Sequence, residues 1–157
     1  MHNPTLSHWH SLKTCISYLQ GTKSFGIVYH RSQSTLPLQL LGWSDSDWGG
    51  EMDSRRSTAG GVFTLAGGAI AWFSKKQTAI ALSSTEAEFV ALALTAKGLW
   101  IQSVLQELLH VKMPPLKIFC DNLSCIHLAS NLKHSEKTKH IDLKYHFIRE
   151  LVEKKQI

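Results

Sequence analysis

The chain has 157 residues, of which 43% are hydrophobic and 18% are charged, and its formal net charge is +5. These proportions are typical of one globular domain with a buried core and argue against a disordered polymer. The three cysteines form no disulfide framework and indicate free thiols in a reducing compartment, so we expect a cytoplasmic or nuclear protein. The sequence shows no secretory signal and no apolar run of about 20 residues that would predict a membrane span. The positive charge favours a polyanionic partner.

The spacing of apolar residues, together with turn residues, predicts the elements in chain order. They are a helix over residues 8–20, a strand over 24–30, a polar linker over 31–37, a strand over 38–44, a flexible loop over 49–57, strands over 62–66 and 69–74 joined by a hairpin at Gly67 and Gly68, a long helix over 85–109, a strand over 116–120, and helices over 122–129 and 142–154. This order predicts an α/β protein with a mixed β-sheet flanked by α-helices.

Three acidic residues follow predicted strands or begin a predicted helix. Asp45 comes after the strand at 38–44, Asp121 comes after the strand at 116–120, and Glu88 lies in the first turn of the long helix. If the first of these strands is central and neighbours the second, both aspartates lie at one edge of the sheet. Carboxylates that converge in this way raise one another's pKa, and a bound pair of Mg²⁺ ions relieves that repulsion.

Several segments resemble, in the same order, motifs of the ribonuclease H domain of copia-type retrotransposon polyproteins. The segments are GWSDSDWGG (42–50), RRSTAG (55–60), SKKQ (74–77), LSSTEAEF (82–89), CDN (120–122) and TKHIDLKYHFIRE (138–150). The residues MHNPT (1–5) and YLQGTK (18–23) resemble the tail of the preceding reverse transcriptase region. The resemblance therefore implies a reverse transcriptase tail over residues 1–34, a ribonuclease H-like domain over 35–157, and a longer Pol polyprotein around them.

The resemblance implies a ribonuclease H-like fold that hydrolyses the RNA strand of RNA/DNA hybrids with two Mg²⁺ or Mn²⁺ ions. Asp45, Glu88 and Asp121 match the family's first three metal-binding carboxylates. We prefer Asp45 to Asp47 because it directly follows the apolar strand. We prefer Glu88 to Glu86 because it begins the segment that resembles the family's helix.

The family's fourth carboxylate follows one further strand and lies in the last helix, a segment that this sequence does not contain. Asp142 opens the helix before that strand, so we interpret it as a helix N-terminal residue that suits the dipole. The expected fold therefore lacks the final strand and helix. An alternative hypothesis is a truncated, catalytically inactive relic that binds nucleic acid weakly. A further alternative is an interaction domain whose acids only form turns and caps.

Basic and aromatic residues near the three acids are candidates for contacts with nucleic acid. Arg55, Arg56, Lys75 and Lys76, on the predicted loops around the strands, are expected to contact phosphates. Trp48, beside the site, is expected to lie at the surface, where it can stack on a base. The other tryptophans in apolar stretches are predicted to be in the core, namely Trp72 and Trp100.

Cysteine and histidine residues in the C-terminal third raise the alternative of a zinc site, but their spacing fits no common structural zinc pattern. These residues are Cys120, Cys125, His127, His134, His140 and His146. Both thiols lie in apolar segments, which favours small buried side chains. His134 is a candidate for assisting water activation or product release, although a solvated loop histidine is the simpler interpretation.

Overall fold

The computed structural model describes residues 3–30, 38–130 and 142–157 of the chain. Its elements in chain order are α1 (Leu6–Gly21), β1 (Leu41–Asp47), β2 (Thr58–Leu65), β3 (Gly68–Lys76), α2 (Ser84–Thr95), α3 (Gly98–Leu109), β4 (Lys117–Phe119), α4 (Leu123–Ser130) and α5 (Asp142–Glu153). The structure is an α/β fold with a mixed sheet flanked by helices, as predicted. The predicted linker at 31–37 lies outside the described residues.

The sheet has the strand order β3-β2-β1-β4, so β1 is central, as the sequence predicted. β1 pairs antiparallel with β2 and parallel with β4. Parallel neighbours must be joined by a crossover, and here α2 and α3 supply it. β1 begins three residues later than predicted and extends to Asp47. Asp45 therefore lies within the strand and not after it.

The hairpin between β2 and β3 turns one residue earlier than predicted. Its two central residues are Ala66 and Gly67, and both have positive φ values, 53° and 82° respectively. Two positive values suit a type I′ turn, whose twist matches that of the flanking strands. Gly67 adopts this conformation without strain, whereas the methyl group of Ala66 makes it costly.

α2 packs across β1 and β2 and approaches the sheet closely. Thr95, at the end of α2, is fully buried above Gly42 and Gly61. A Cβ atom at Gly42 would lie 3.4 Å from Cγ2 of Thr95, and one at Gly61 would overlap the Phe73 ring. Because neither glycine has a side chain, the helix can sit directly on the strands.

The core forms two clusters on the helix side of the sheet. The first joins Phe89 of α2 to Cys125 of α4 and to Ile148 of α5. The second lies around Leu40 and Leu116, which precede the parallel strands. The five residues named here are each at most 1% exposed, and both clusters contain further buried side chains. Apolar burial of this kind supplies most of the stability of such a layer.

The helix predicted over 85–109 is interrupted, which corrects the sequence prediction. α2 ends at Thr95 and α3 begins at Gly98. Between them the backbone hydrogen bonds span three residues instead of four, from the Leu99 amide to the Ala96 carbonyl (3.1 Å) and from the Trp100 amide to the Lys97 carbonyl (3.0 Å). The Phe63 ring occupies the space where a side chain at position 98 would be. Apolar spacing continues through the interruption, so the pattern alone predicts one helix.

The strand predicted over 24–30 is wrong. This segment contacts the β2–β3 turn, where the His30 amide donates to the Ala66 carbonyl (2.8 Å) and the Tyr29 hydroxyl donates to the Ala69 carbonyl (2.7 Å). Contacts at a turn do not make the ladder that a strand requires. In the preceding helix α1, none of the residues is buried.

Within the described residues, one stretch is long and apolar enough to cross a membrane by length and composition alone, namely Ser84–Leu109. It consists of α2, the interruption and α3. Half of its apolar window is buried inside the fold, and the core helix of a soluble protein passes the same test. The stretch is therefore weak support for a membrane span.

Candidate metal centre

The three predicted acids lie near the ends of β1, β4 and the beginning of α2. In the parallel pair β1–β4, Trp43 is opposite Phe119. Two residues further along each chain segment are Asp45 and Asp121, so the register sets them at the same edge of the sheet. Adjacent strands are only about 4.8 Å apart, which brings these two positions close together.

Glu88 joins the two aspartates from the second turn of α2. Its side chain is 6% exposed, and its Oε1 atom accepts a hydrogen bond from the Ser46 amide (3.1 Å). The same amide donates to Oδ1 of Asp45 (2.9 Å), so the two carboxylates share one donor. The other oxygen of Glu88, Oε2, is buried and has no hydrogen-bond partner. A buried carboxylate oxygen without a partner is costly unless a proton or a cation occupies the site.

The electrostatic environment of Glu88 disfavours its charged form. Burial, and then the negative charges of Cys120, Asp45 and Asp121, raise its pKa from 4.5 to about 7. The hydrogen bond from Ser46 acts in the opposite direction but does not compensate. A divalent cation would reverse this balance, because it favours the ionised form of every group around it.

A thiol belongs to the same group of donors. One ligand atom each from Glu88, Cys120 and Asp121 lie within 4.8 Å of one another, while Asp45 adjoins the group through Glu88. Sequence reasoning treated Cys120 as a buried apolar residue. Strand alternation places residues 120 and 121 on opposite faces, but β4 ends at Phe119 and the alternation ends with it. Both side chains can therefore face the same site.

The second thiol, Cys125, lies behind the first. It is fully buried in the core, as predicted, and it contacts the sulfur of Cys120. Hydrogen bonding from Cys125 lowers the pKa of Cys120 to about 6, whereas hydrogen bonding to Cys120 and burial raise the pKa of Cys125. Cys120 therefore lies between the buried thiol of Cys125 and the carboxylates.

Residues next to Glu88 and Asp121 make the helix caps that were the alternative explanation for these two acids. At the start of α2, the amide of Glu86 donates to Ser83 (3.1 Å), and its carboxylate accepts from the Leu82 amide (2.7 Å). At the start of α4, the side chain of Asn122 accepts from the Cys125 amide (2.9 Å). Glu86 and Asn122 thus make the caps, which leaves Glu88 and Asp121 available to the site.

Asp47, the rejected alternative to Asp45, has a structural contact of its own. Its Oδ1 atom accepts a hydrogen bond from the Thr58 amide, on the opposite side of the β1–β2 connection. Asp47 also fills the space next to Gly50. It therefore holds the loop, whereas Asp45 faces Glu88.

The residues predicted to contact nucleic acid are exposed near the same edge of the sheet. Arg55 and Arg56 lie on the loop between β1 and β2, whereas Lys75 and Lys76 lie at the end of β3 and not on a loop. Lys76 makes an ion pair with Glu51, so its charge is partly committed within the protein.

Trp48 is 59% exposed, as expected, and its indole N–H donates to the Ala81 carbonyl (3.1 Å). The hydrogen bond fixes the ring at the surface next to the site.

The predictions for two other tryptophans are wrong. Trp72 is 68% exposed and Trp100 is 73% exposed, although both lie in apolar stretches. Trp72 belongs to a row across the sheet with Val62 and Trp43, on the face opposite α2. Apolar neighbours in sequence predict burial only when another layer covers the residue, and none of the described helices covers this face.

The described histidines do not take part in the Glu88–Cys120–Asp121 group. His127 is exposed in the last turn of α4. His134 and His140 lie outside the described residues, and the role considered for His134 stays a prediction. Asp142 begins α5, as expected.

No protein-family profile matches the sequence. Over 155 residues, or 98% of the chain, it is 42% identical to the retrovirus-related Pol polyprotein from transposon TNT 1-94 of Nicotiana tabacum. Over the same length it is 42% and 40% identical to the Pol polyproteins from transposons RE2 and RE1 of Arabidopsis thaliana. The matched segments make up 11%, 10% and 10% of these relatives, so the chain spans about a tenth of their length. The chain is therefore a homologue of one segment of the copia-type retrotransposon Pol polyproteins.

Proposed function

We propose that the chain is a ribonuclease H-like domain that hydrolyses the RNA strand of RNA/DNA hybrids, with Mg²⁺ or Mn²⁺ bound by Asp45, Glu88 and Asp121. The observation that carries the proposal is the buried Glu88 carboxylate, which has one oxygen without a partner and lies beside two exposed aspartates. Homology to retroelement Pol polyproteins supports a substrate that arises during reverse transcription.

The donor set fits a hard divalent cation. Mg²⁺ and Mn²⁺ prefer carboxylate oxygens, and these three side chains supply up to six. The unpartnered Oε2 atom of Glu88 is the feature that a cation would satisfy. Cations bound here would supply an activated water and would stabilise the charge on the departing oxygen.

The protein's own contribution is to position donors before substrate arrives. Glu88 is fixed by the Ser46 amide and by its burial, so it needs little rearrangement to bind a cation. Asp45 and Asp121 are exposed at the sheet edge, where a phosphodiester can approach. This combination of one buried and two exposed carboxylates suits a site that is rigid on one side and open on the other.

The surface around the acids suits a nucleic-acid backbone. Arg55, Arg56 and Lys75 would neutralise phosphates, and Trp48 presents an exposed ring at the same edge. Recognition of RNA would depend on the 2′-hydroxyl and on the shape of the hybrid minor groove.

Cleavage of an end-labelled RNA/DNA hybrid by the purified chain tests the proposal, first with Mn²⁺ and then with Mg²⁺. We expect the RNA strand to be cut internally, and we expect single-stranded RNA and double-stranded DNA to remain intact. Asp121→Asn should reduce the rate by at least about 100-fold, because it removes a charge from the cation site.

The matched control is Asp47→Asn, which makes the same chemical change at an acid that accepts from the Thr58 amide and is not one of the proposed ligands. It should retain cleavage, and the circular dichroism spectra of both variants should match that of the parent chain. Absence of cleavage by the parent chain in both metals, or equal rates for Asp121→Asn and the parent, would contradict the proposal and would favour an inactive nucleic-acid-binding relic.

A further inference from the structure

The donor group contains a ligand that a purely hard-cation site does not need. Cys120 contributes its sulfur within 4.8 Å of the ligand atoms of Glu88 and Asp121. Mg²⁺ strongly prefers oxygen, whereas Zn²⁺ and similar thiophilic cations bind thiolate together with carboxylate. The sulfur of Cys120 therefore favours Zn²⁺ and similar thiophilic cations over Mg²⁺ at this group.

The distances are compatible with a zinc site after a small closure. Bond lengths of about 2.0–2.3 Å at tetrahedral angles separate the donor atoms by roughly 3.5 Å. The three donors lie within 4.8 Å, so movements of about 1 Å bring them to this separation. Asp121 is exposed and can make such a movement, while Glu88 is held in place and offers a buried oxygen without a partner.

The surroundings of the Cys120 sulfur suit a thiolate ligand. The Cys120 thiol donates to the Asn122 carbonyl (4.0 Å), and the Cys125 thiol and the Ser44 hydroxyl lie beside its sulfur. The Ser44 hydroxyl is buried and has no hydrogen-bond partner, so it is available to a charged sulfur. Donors of this kind orient a metal ligand and raise its affinity for the metal.

We propose that Glu88, Cys120 and Asp121 form a binding site for a thiophilic divalent cation, with Zn²⁺ as the reference ion. Binding releases the thiol proton to solvent and forms a sulfur–metal bond. Because Glu88 and Asp121 also belong to the proposed Mg²⁺ site, the two kinds of cation exclude each other. Zn²⁺ is then an inhibitor of Mg²⁺-dependent cleavage, a consequence that rests on the proposed function, whereas zinc binding itself does not.

The direct test uses the full chain after removal of metals with a chelator, and it titrates the chain with Co²⁺ as a spectroscopic substitute for Zn²⁺. We expect a sulfur-to-cobalt charge-transfer band in the near ultraviolet that disappears when Zn²⁺ is added. Cys120→Ser keeps the size and the carboxylates but removes the sulfur, so it should lose the band and bind Zn²⁺ at least about 10-fold more weakly by calorimetry.

Cys15→Ser is the matched control, because Cys15 is an exposed thiol on α1. It should keep both the band and the affinity. The cobalt spectrum of the parent chain tests the site without any substitution. The inference can therefore be tested even if Cys120→Ser does not fold. Absence of the band in the parent chain, or unchanged Zn²⁺ affinity in Cys120→Ser, overturns the inference.

The two proposals fail in different ways. A cobalt–sulfur band without any hybrid cleavage would support the thiophilic site and contradict the ribonuclease. Mg²⁺-dependent cleavage that Zn²⁺ inhibits equally in the parent chain and in Cys120→Ser would support the ribonuclease and contradict the inference.

Discussion

Replacement of Glu88 by glutamine should stabilise the metal-free protein at neutral pH. The carboxylate is buried beside Cys120, Asp45 and Asp121, and its pKa is raised from 4.5 to about 7. Between about pH 4.5 and pH 7, Glu88 is therefore protonated in the folded protein and ionised in the unfolded chain. Because the folded state binds more protons in this interval, the free energy of unfolding falls as the pH rises through it.

The size of the pKa increase gives the amount of unfolding free energy that is lost. At about 1.36 kcal/mol for each pH unit, an increase from 4.5 to about 7 corresponds to roughly 3 kcal/mol lost above pH 7. Glutamine has no charge to desolvate. Its oxygen can still accept from the Ser46 amide, and its amino group can donate toward the neighbouring anions at the position of Oε2. Glu88→Gln should therefore match the parent below pH 4.5 and exceed it by roughly 3 kcal/mol above pH 7.

Urea unfolding at several pH values between 4 and 8, with a chelator present, measures this difference. Glu107→Gln, which removes an exposed carboxylate from α3, is the control and should change stability by less than about 0.5 kcal/mol. A difference between Glu88→Gln and the parent that stays constant from pH 4 to pH 8 would refute the reasoning. It would mean that Glu88 is not desolvated in the folded protein.

Three further predictions follow from the packing, the hairpin and the surface charge. Gly61→Ala should lower the free energy of unfolding by about 1–3 kcal/mol, because its methyl group would overlap the Phe73 ring, and chemical denaturation measures the loss. Ala66→Gly should stabilise the protein by about 0.5–1 kcal/mol, because residue 66 has a φ of 53°, and an unchanged denaturation midpoint would contradict this explanation. Lys75→Ala should reduce the slope of log affinity for an RNA/DNA hybrid against log salt by about 0.9, which fluorescence anisotropy at several salt concentrations measures. Lys76→Ala should reduce it less, because Lys76 is paired with Glu51.

The sequence predicts those parts of the fold that depend on local chemistry. Apolar stretches on either side of a glycine pair identify the β2–β3 hairpin. This signal acts through neighbouring backbone groups, so one segment of the sequence contains it. The central position of β1 could also be predicted, because the order of strands and helices restricts the possible topologies.

Features that depend on a distant contact could not be predicted. At the interruption between α2 and α3, Gly98 packs against the Phe63 ring, which comes from another element. Trp72 looks like a core residue until the sheet is assembled with one face uncovered. The sulfur of Cys120 joins the acids only because β4 ends one residue earlier, and no local pattern marks that end. Each of these features needs the tertiary arrangement of the chain.

The close approach of α2 to Gly42 and Gly61 has a consequence for cation binding. Glu88 lies two helical turns before Thr95, about 10 Å along the axis from the point where the helix rests on the two glycines. A side chain at Gly61 would meet the Phe73 ring and the Thr95 hydroxyl, so it would press on the end of the helix that carries Thr95. If the proposed cation site is real, its affinity should respond to a substitution at Gly61, which touches none of the proposed ligands, and Gly61 should vary little among homologues of this segment.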